Sequence, residues 1–439
     1  MKWILLVHGV AAFFAIVWMI QAAIRGHRRE KRAAEYLRLH GSVEGPPTLH
    51  PVIDPDVCIG SGACVRACPE DRALVLVSGK AHLAQASGCV GHGECQRACP
   101  VDAIALVFGS AKRGVDLPEV DATFESSQHG LFIAGELGGM GLIATAVRQG
   151  VKAITAIHQS LESAPKDDTL ELVVVGAGPA GIAAMLEAHR LNMRVRWLEK
   201  ETSLGGAVRA YPRGKVVMTT PVELPIYGKV HLRRTSKNAL IELWQDVLAQ
   251  GDIAPEYGTA VSGVSPDGDA LIVSTTGGPI RARRVLLATG RRGRPRRLGV
   301  RGEELAHVCH HLEDPVEHDR ERIVVVGGGD VAVEAALALA ERPSTRVTLC
   351  HRGGVFDRAK PANQQRLAEA EGSGAVHVLR HAEIDSIGTP AVSIRVPEGA
   401  RTIDADRVFV LIGNDLPTDL LAASGIRVQT HRGELAVRT

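Results

Sequence analysis

The chain of 439 residues has room for about three domains at roughly 150 residues each. A formal net charge of +2 and an aromatic content of 3% provide neither the basic footprint nor the stacking platforms of a nucleic-acid binder, so nucleic acid is not expected as a partner. Six of the eight cysteines fall in two short stretches, with Cys309 and Cys350 elsewhere, which excludes a secreted disulfide framework and points to metal binding in a reducing compartment.

The first segment, WILLVHGVAAFFAIVWMIQAAI from Trp3 to Ile24, holds no formally charged residue and is long enough to span a bilayer as a helix. Arg25, Arg28, Arg29, Lys31 and Arg32 follow at once. Basic residues beside a span stay on the cytoplasmic side, so residues 1–24 are expected to be a transmembrane anchor. The protein would then be single-pass in the inner membrane, its N-terminus outside and everything after Ile24 in the cytoplasm. A cleaved signal peptide would carry a shorter apolar region with its charge ahead of it. His8 reads as a polar residue near the membrane end rather than a cofactor ligand. Residues 25–50 are expected to form a basic juxtamembrane linker, ending in the turn formers GSVEGPPTLH.

Residues 51–110 contain an internal repeat, CIGSGACVRACP from Cys58 and CVGHGECQRACP from Cys89. Between the copies lie alternating apolar runs suited to small strands, such as ALVLVSGKAHLA. The unit resembles that of the two-cluster bacterial ferredoxins, C-x2-C-x2-C-x3-C-P, with one cysteine replaced in each copy. The resemblance implies that three cysteines of each copy are shared crosswise. One cluster would take Cys58, Cys64 and Cys99 with Ser61 at the missing corner; the other would take Cys89, Cys95 and Cys68 with His92 at its corner. Gly60, Gly62, Gly91 and Gly93 let tight loops wrap a cluster, and backbone N–H groups can tune it. A zinc ribbon would need C-x2-C pairs, which are absent from the sequence. Loss of the same corner in both copies, with every other cysteine and both prolines kept, argues against decay. Histidine can ligate iron, whereas serine oxygen is a harder and weaker ligand. The clusters are therefore left as [4Fe–4S] or [3Fe–4S].

From Leu170 to Glu201 the chain reads strand, glycine turn, helix, strand. Gly176, Gly178 and Gly181 form G-x-G-x-x-G after a buried apolar strand, the context in which a pyrophosphate sits at a helix N-terminus. Glu199 ends the second strand, placed to accept from a ribose hydroxyl. A second copy, Arg322 to Gly354, offers Gly327, Gly329 and Ala332 as G-x-G-x-x-A. No acid ends its second strand. His351, Arg352 and Arg358 stand there instead, which suits a 2′-phosphate and favours NADPH over NADH, with a solvated basic turn as the alternative.

With VVVGAGPAG, the Gly205–Gly206 pair, LLATG at Leu286–Gly290 and VVVGGGDVAVE, the chain from Leu170 onward resembles the thioredoxin-reductase-like flavoproteins. The resemblance implies FAD in the first fold, with Thr289 and Gly290 on the FAD side, and the nicotinamide in a second fold inserted into the first. The redox C-x-x-C of thioredoxin reductases is missing: HVCHHLEDPVEH has Cys309 alone. The subgroup without that motif includes ferredoxin–NADP⁺ reductases and bacillithiol disulfide reductases, which VFDRAKPANQQR also resembles. The family's closing segment does not follow the second fold. VDATFESSQHGLFIAGELGGMGLIATAVRQG, Val120 to Gly150, matches it instead, implying a circular permutation. Gly135 and Glu136 would meet the FAD ribityl chain, and a helix from about Leu142 would offer its positive end to the reduced flavin.

The expected fold class is α/β, with two Rossmann-like domains (FAD and NAD(P)) of the flavin disulfide reductase type. A small α+β two-cluster ferredoxin domain and the N-terminal transmembrane helix complete it. Boundaries are set at 51–110 for the ferredoxin unit, 114–160 for the permuted segment, 167–300 for the FAD domain, 301–403 for the NAD(P)H domain and 404–439 for the return to the FAD domain. The expected activity is membrane-anchored electron transfer between NAD(P)H, FAD, two clusters and an electron-carrier protein or small acceptor, with a homodimer allowed for. A low-molecular-weight disulfide reductase and a non-enzymatic redox sensor are the alternatives. No general acid–base machinery is visible, and hydride transfer to a flavin does not require it.

Overall fold

The computed structural model describes residues 2–40, 45–46, 48–70, 72–111, 114–165, 167–209, 211, 216–218, 221–231, 234–291, 293, 295–342 and 344–435. They form two compact units. Met1–Val115 with His431–Ala436 is one, and Asp116–Thr430 with Val437–Thr439 is the other.

In the first unit, Lys2–His40 is a single helix. Its later half is docked rather than a free linker: Ser78 N donates to Glu30 Oε1 at 3.0 Å, Tyr36 Oη donates to Gln85 Oε1, and Arg72 lies over the Tyr36 ring at 5.4 Å. Most side chains of the Trp3–Ile24 run lie outside the described residues, as do residues 41–44 and 47 of the expected linker. Among the described residues no helix is long and apolar enough to cross a membrane, so the expected span gains no support here. Ile16, Trp18, Met19, Ile20 and Ile24 are exposed along the helix.

The cysteine repeat folds as two loops, each leading into a short helix, Ala63–Ala67 and Glu94–Arg97. The predicted small strands form the hairpin Leu74–Val77 with Lys80–Leu83. His50–Ile53 and Ile104–Phe108 pair antiparallel beneath the repeat. The free edge of Ile104–Phe108 takes Glu434–Leu435, so the chain's tail returns to this unit and not only to the FAD domain.

The second unit is built on two sheets, one mixed and one all parallel. In the first, Leu170–Val175 lies between Val195–Leu198 and Ile280–Leu287. Its valines and leucines alternate between two cores. Leu172 and Val174 face the helix Pro179–Arg190, while Val173 and Val175 face the opposite layer, the pattern of a strand covered on both faces. Leu131–Ile133 pairs in parallel with the end of Ile280–Leu287, so the segment ahead of the first fold belongs to its sheet. The helix Ile143–Ser160 then packs on Pro179–Arg190. A Cβ at Gly150 would lie 2.2 Å from the Ala180 carbonyl oxygen, so only glycine permits this approach.

The second sheet runs in the order Val308–Cys309, Arg407–Val410, Arg322–Val326, Arg346–His351, Val376–Arg380, all parallel. The nucleotide fold thus keeps its last strand beyond residue 403, because Arg407–Val410 is the only described strand that pairs with Arg322–Val326 on that edge. The return to the FAD domain comes just after, where Leu421 and Ile426 join its core.

Candidate functional site

The glycines of the first fold are held in place by backbone, not by side chains. Gly176 sits at φ 105°, and a Cβ there would be 2.6 Å from the Ala288 carbonyl oxygen. A Cβ at Gly181 would be 1.9 Å from the Gly176 carbonyl oxygen. The Gly205–Gly206 pair closes on the same loop. Gly205 N donates to Ala177 O at 2.8 Å, and a Cβ at Gly206 would touch Gly178 Cα at 3.0 Å. Glu199 is buried, and its carboxylate accepts from Ala177 N at 2.6 Å and Glu201 N at 2.9 Å. Beyond the expected ribose contact, it clamps the glycine loop to the end of the second strand.

The loop borders one cavity of about 960 Å³, which Gly181 and Gly205 themselves do not line. Gly176, Gly178, Glu199, Gly206, Thr289 and Gly290 line it as expected, and so do Gly135 and Glu136 of the permuted segment. Gly135, at φ 87°, donates its N–H to buried Gln149 Oε1 at 2.9 Å, which fixes Glu136 at the cavity wall. The helix there begins at Ile143, and Leu142 and Ile143 also border the space. A cavity large enough for a dinucleotide, with a glycine loop at one wall and a helix N-terminus at another, fits FAD. Bound there, the flavin would accept hydride and release electrons singly.

Sequence reading missed part of this wall. Arg291 lines the cavity directly after LLATG; burial lowers its pKa, Glu136 opposes that shift, and its Nη2 donates to Asp116 O at 3.1 Å. His310 and His311 also line it, with His310 Nδ1 buried and without a hydrogen-bond partner. The signal for Arg291 was its adjacency to LLATG. For His310 it was a histidine pair standing where the family's dithiol would be.

In the second fold, Gly327 lies at φ 155° with a Cβ position 2.5 Å from Leu411 O, and Ala332 is fully buried beneath it. A Cβ on Gly328 would fall within 2.1 Å of the His351 ring. That ring tilts against Phe356 at 4.7 Å, and its Nε2 is 3.0 Å from Val355 O. Burial lowers the His351 pKa, as do the neighbouring Arg352 and Arg358, while the Val355 carbonyl and Asp357 oppose the shift. Arg352 and Arg358 are exposed, and a parallel bridge sets Arg358 beside Gly329.

The cysteines gather crosswise. Cys58, Ser61, Cys64 and Cys99 line one small cavity; Cys68, Cys89, His92 and Cys95 line another. Gly60, Gly62, Gly91 and Gly93 all have positive φ, between 66° and 76°. Backbone N–H groups face the sulfurs. Those of Ala81 and Gly60 hold the Cys58 thiol below its ordinary pKa, and Ala103 N donates to Cys99 Sγ at 3.3 Å. Burial pushes Cys89 up to about 11 and Cys95 up to about 12, so these thiols need the positive charge of a metal to ionise at neutral pH. Among the described residues no three His, Cys, Asp or Glu side chains meet closely enough to hold a single ion. The thiols surround a space instead, as cluster ligands with N–H···S support would.

Cys350 is fully buried, its thiol raised to about 12, and it lies three strand spacings from Cys309, roughly 14 Å. A disulfide needs Cα atoms within about 7 Å, so the two cannot form a dithiol pair.

Residues 173–437 match the family model of the pyridine nucleotide-disulphide oxidoreductases, and residues 50–100 match a 4Fe-4S dicluster domain. A ferredoxin–NADP reductase of Gluconacetobacter diazotrophicus is 30% identical over 265 residues, covering 57% of this chain and 74% of the relative. A ferredoxin–NADP reductase of Thermus thermophilus is 27% identical over 277 residues, covering 60% and 79%. Among solved structures, the bacillithiol disulfide reductase of Bacillus cereus superposes with a TM-score of 0.53 at 24% identity, over 58% of this chain and 81% of that one, a likeness of fold. Two glycine loops, a shared cavity and two sulfur-lined spaces agree with these matches: the chain belongs to the pyridine nucleotide-disulphide oxidoreductase family, as an FAD-dependent NAD(P)H oxidoreductase carrying a ferredoxin-type iron–sulfur domain.

Proposed function

We propose that the protein moves electrons from NADPH through FAD to two iron–sulfur clusters and on to an electron carrier such as a ferredoxin. The observation that carries this reading is the pair of thiol-lined cavities in a chain whose other unit is a pyridine nucleotide and flavin fold. A hydride brings two electrons together, and clusters take them one at a time, so the flavin is the natural converter. The reverse direction is equally open to the same parts. Under anaerobic NADPH, the protein should reduce an oxidised ferredoxin in steady state. Fast flavin reduction with no ferredoxin turnover would contradict the proposal.

NADPH preference rests on Arg352 and Arg358, with the ferredoxin–NADP reductase relatives in support. Hydrogen bonds to charged groups contribute about 1.5–3 kcal/mol. Replacing both arginines by alanine should therefore raise KM for NADPH roughly ten- to hundredfold and leave KM for NADH near its starting value. Equal changes for both nucleotides would place the 2′-phosphate elsewhere.

Membrane attachment is part of the proposal, supported by the uncharged run Trp3–Ile24 and the basic residues after it. Full-length protein should stay in the membrane pellet after alkaline carbonate washing; release by that wash would remove the anchor. A disulfide reductase is the second reading, favoured by the fold likeness alone. With Cys350 out of reach, Cys309→Ser should retain more than about half of any NADPH-driven disulfide reduction and of ferredoxin reduction, whereas a disulfide reductase working through this thiol would lose the disulfide reduction by orders of magnitude.

A further inference from the structure

The two cysteine loops are near copies in backbone as well as in sequence. Gly60 and Gly62 have φ of 69° and 66°, and Gly91 and Gly93 have 76° and 75°. Arg66 Nη1 donates to the Ser61 carbonyl at 3.2 Å, and Arg97 Nη2 donates to the His92 carbonyl at 3.0 Å. The corner residue thus stands on the same backbone in both copies, and only its side chain differs. Ser61 borders its cavity, and its Oγ accepts from Ala63 N at 3.3 Å. It is also a shorter arm than cysteine, because C–O and metal–O bonds are shorter than their sulfur counterparts, and oxygen is the poorer partner for such iron. His92 has the longer arm and borders its cavity together with Glu70, whose Oε1 is 4.0 Å from His92 Nε2. At 4.0 Å the two are neighbours without a hydrogen bond; a carboxylate drawn in to one ring nitrogen would orient the ring and leave the other nitrogen for metal.

We infer that the two sites differ in iron content. His92 holds a fourth iron in the Cys68, Cys89 and Cys95 site, while the Cys58, Cys64 and Cys99 site, whose corner offers only the short, hard oxygen of Ser61, holds three. This rests on the proposed function insofar as clusters are bound at all. One carrier module then contains two unlike centres, one with a histidine ligand that raises its potential and one with an open corner.

The test is EPR of the oxidised, anaerobically purified full chain, together with iron and sulfide analysis. One three-iron signal per chain and about seven irons are expected. Ser61→Cys should abolish that signal and add one iron, and His92→Ala should double it. A wild-type protein with no three-iron signal and about eight irons would overturn the inference by making Ser61 a ligand. Two such signals with about six irons would overturn it by excluding His92. These wild-type results decide the matter even if a variant fails to fold. A reconstituted chain with no iron–sulfur absorbance at all would overturn both this inference and the function beneath it.

Discussion

Replacing Gly181 by alanine should yield a protein that no longer retains flavin. The added Cβ would stand 1.9 Å from the Gly176 carbonyl oxygen, a contact that backbone cannot relieve without moving. That oxygen is also fixed from the other side, since Trp197 Nε1 donates to it at 3.0 Å. The strain, about 1–3 kcal/mol for an overpacked methyl, falls on the loop that would cradle the pyrophosphate. The ratio of flavin to protein absorbance after gel filtration checks this, and it should drop at least tenfold. Gly372→Ala is the control, because nothing lies within 4 Å of a Cβ there and its flavin content should match the parent. Normal flavin content in Gly181→Ala would mean the loop is not the pyrophosphate seat.

The second large effect concerns the crossing of the cysteines. Cys99 is only four residues from Cys95, yet it borders the cavity of Cys58 and Cys64. Cys99→Ala should remove one cluster and about half of the iron. Adding Cys58→Ala to it should remove little more, because both ligate the same cluster, while adding Cys68→Ala should remove the rest. Double variants separate the schemes, since residues that serve one site are non-additive and residues at separate sites add. If Cys99 and Cys95 behaved as one site instead, the crossed assignment would fall.

Much of this was legible in the sequence because the chemistry imposes spacing. A cluster loop needs its thiols at short fixed intervals and glycines at positive φ, and both survive in plain view. A dinucleotide loop needs small residues at fixed offsets from a strand, and GLFIAG carried enough of the family's pattern to place Glu136 at the cavity across a permutation. What was hidden depends on partners distant in the chain. Nothing local to Gly150 says that it meets the Ala180 carbonyl, and nothing in CHRGG says that the His351 ring will pack against Phe356. The docking of Tyr36 on Gln85 spans 49 residues, and the short tail strand Glu434–Leu435 pairs with a partner more than three hundred residues away. Periodicity signals an element, but not the edge it will find.

Anaerobic titration of the holoprotein with NADPH, with flavin and cluster spectra followed separately, bears most directly on electron transfer from nicotinamide to metal. The expected result is that flavin absorbance and cluster signals both change before reductant exceeds the protein's electron capacity, and that Gly181→Ala prevents both. Full flavin bleaching while every cluster stays oxidised, through to excess NADPH, would contradict it.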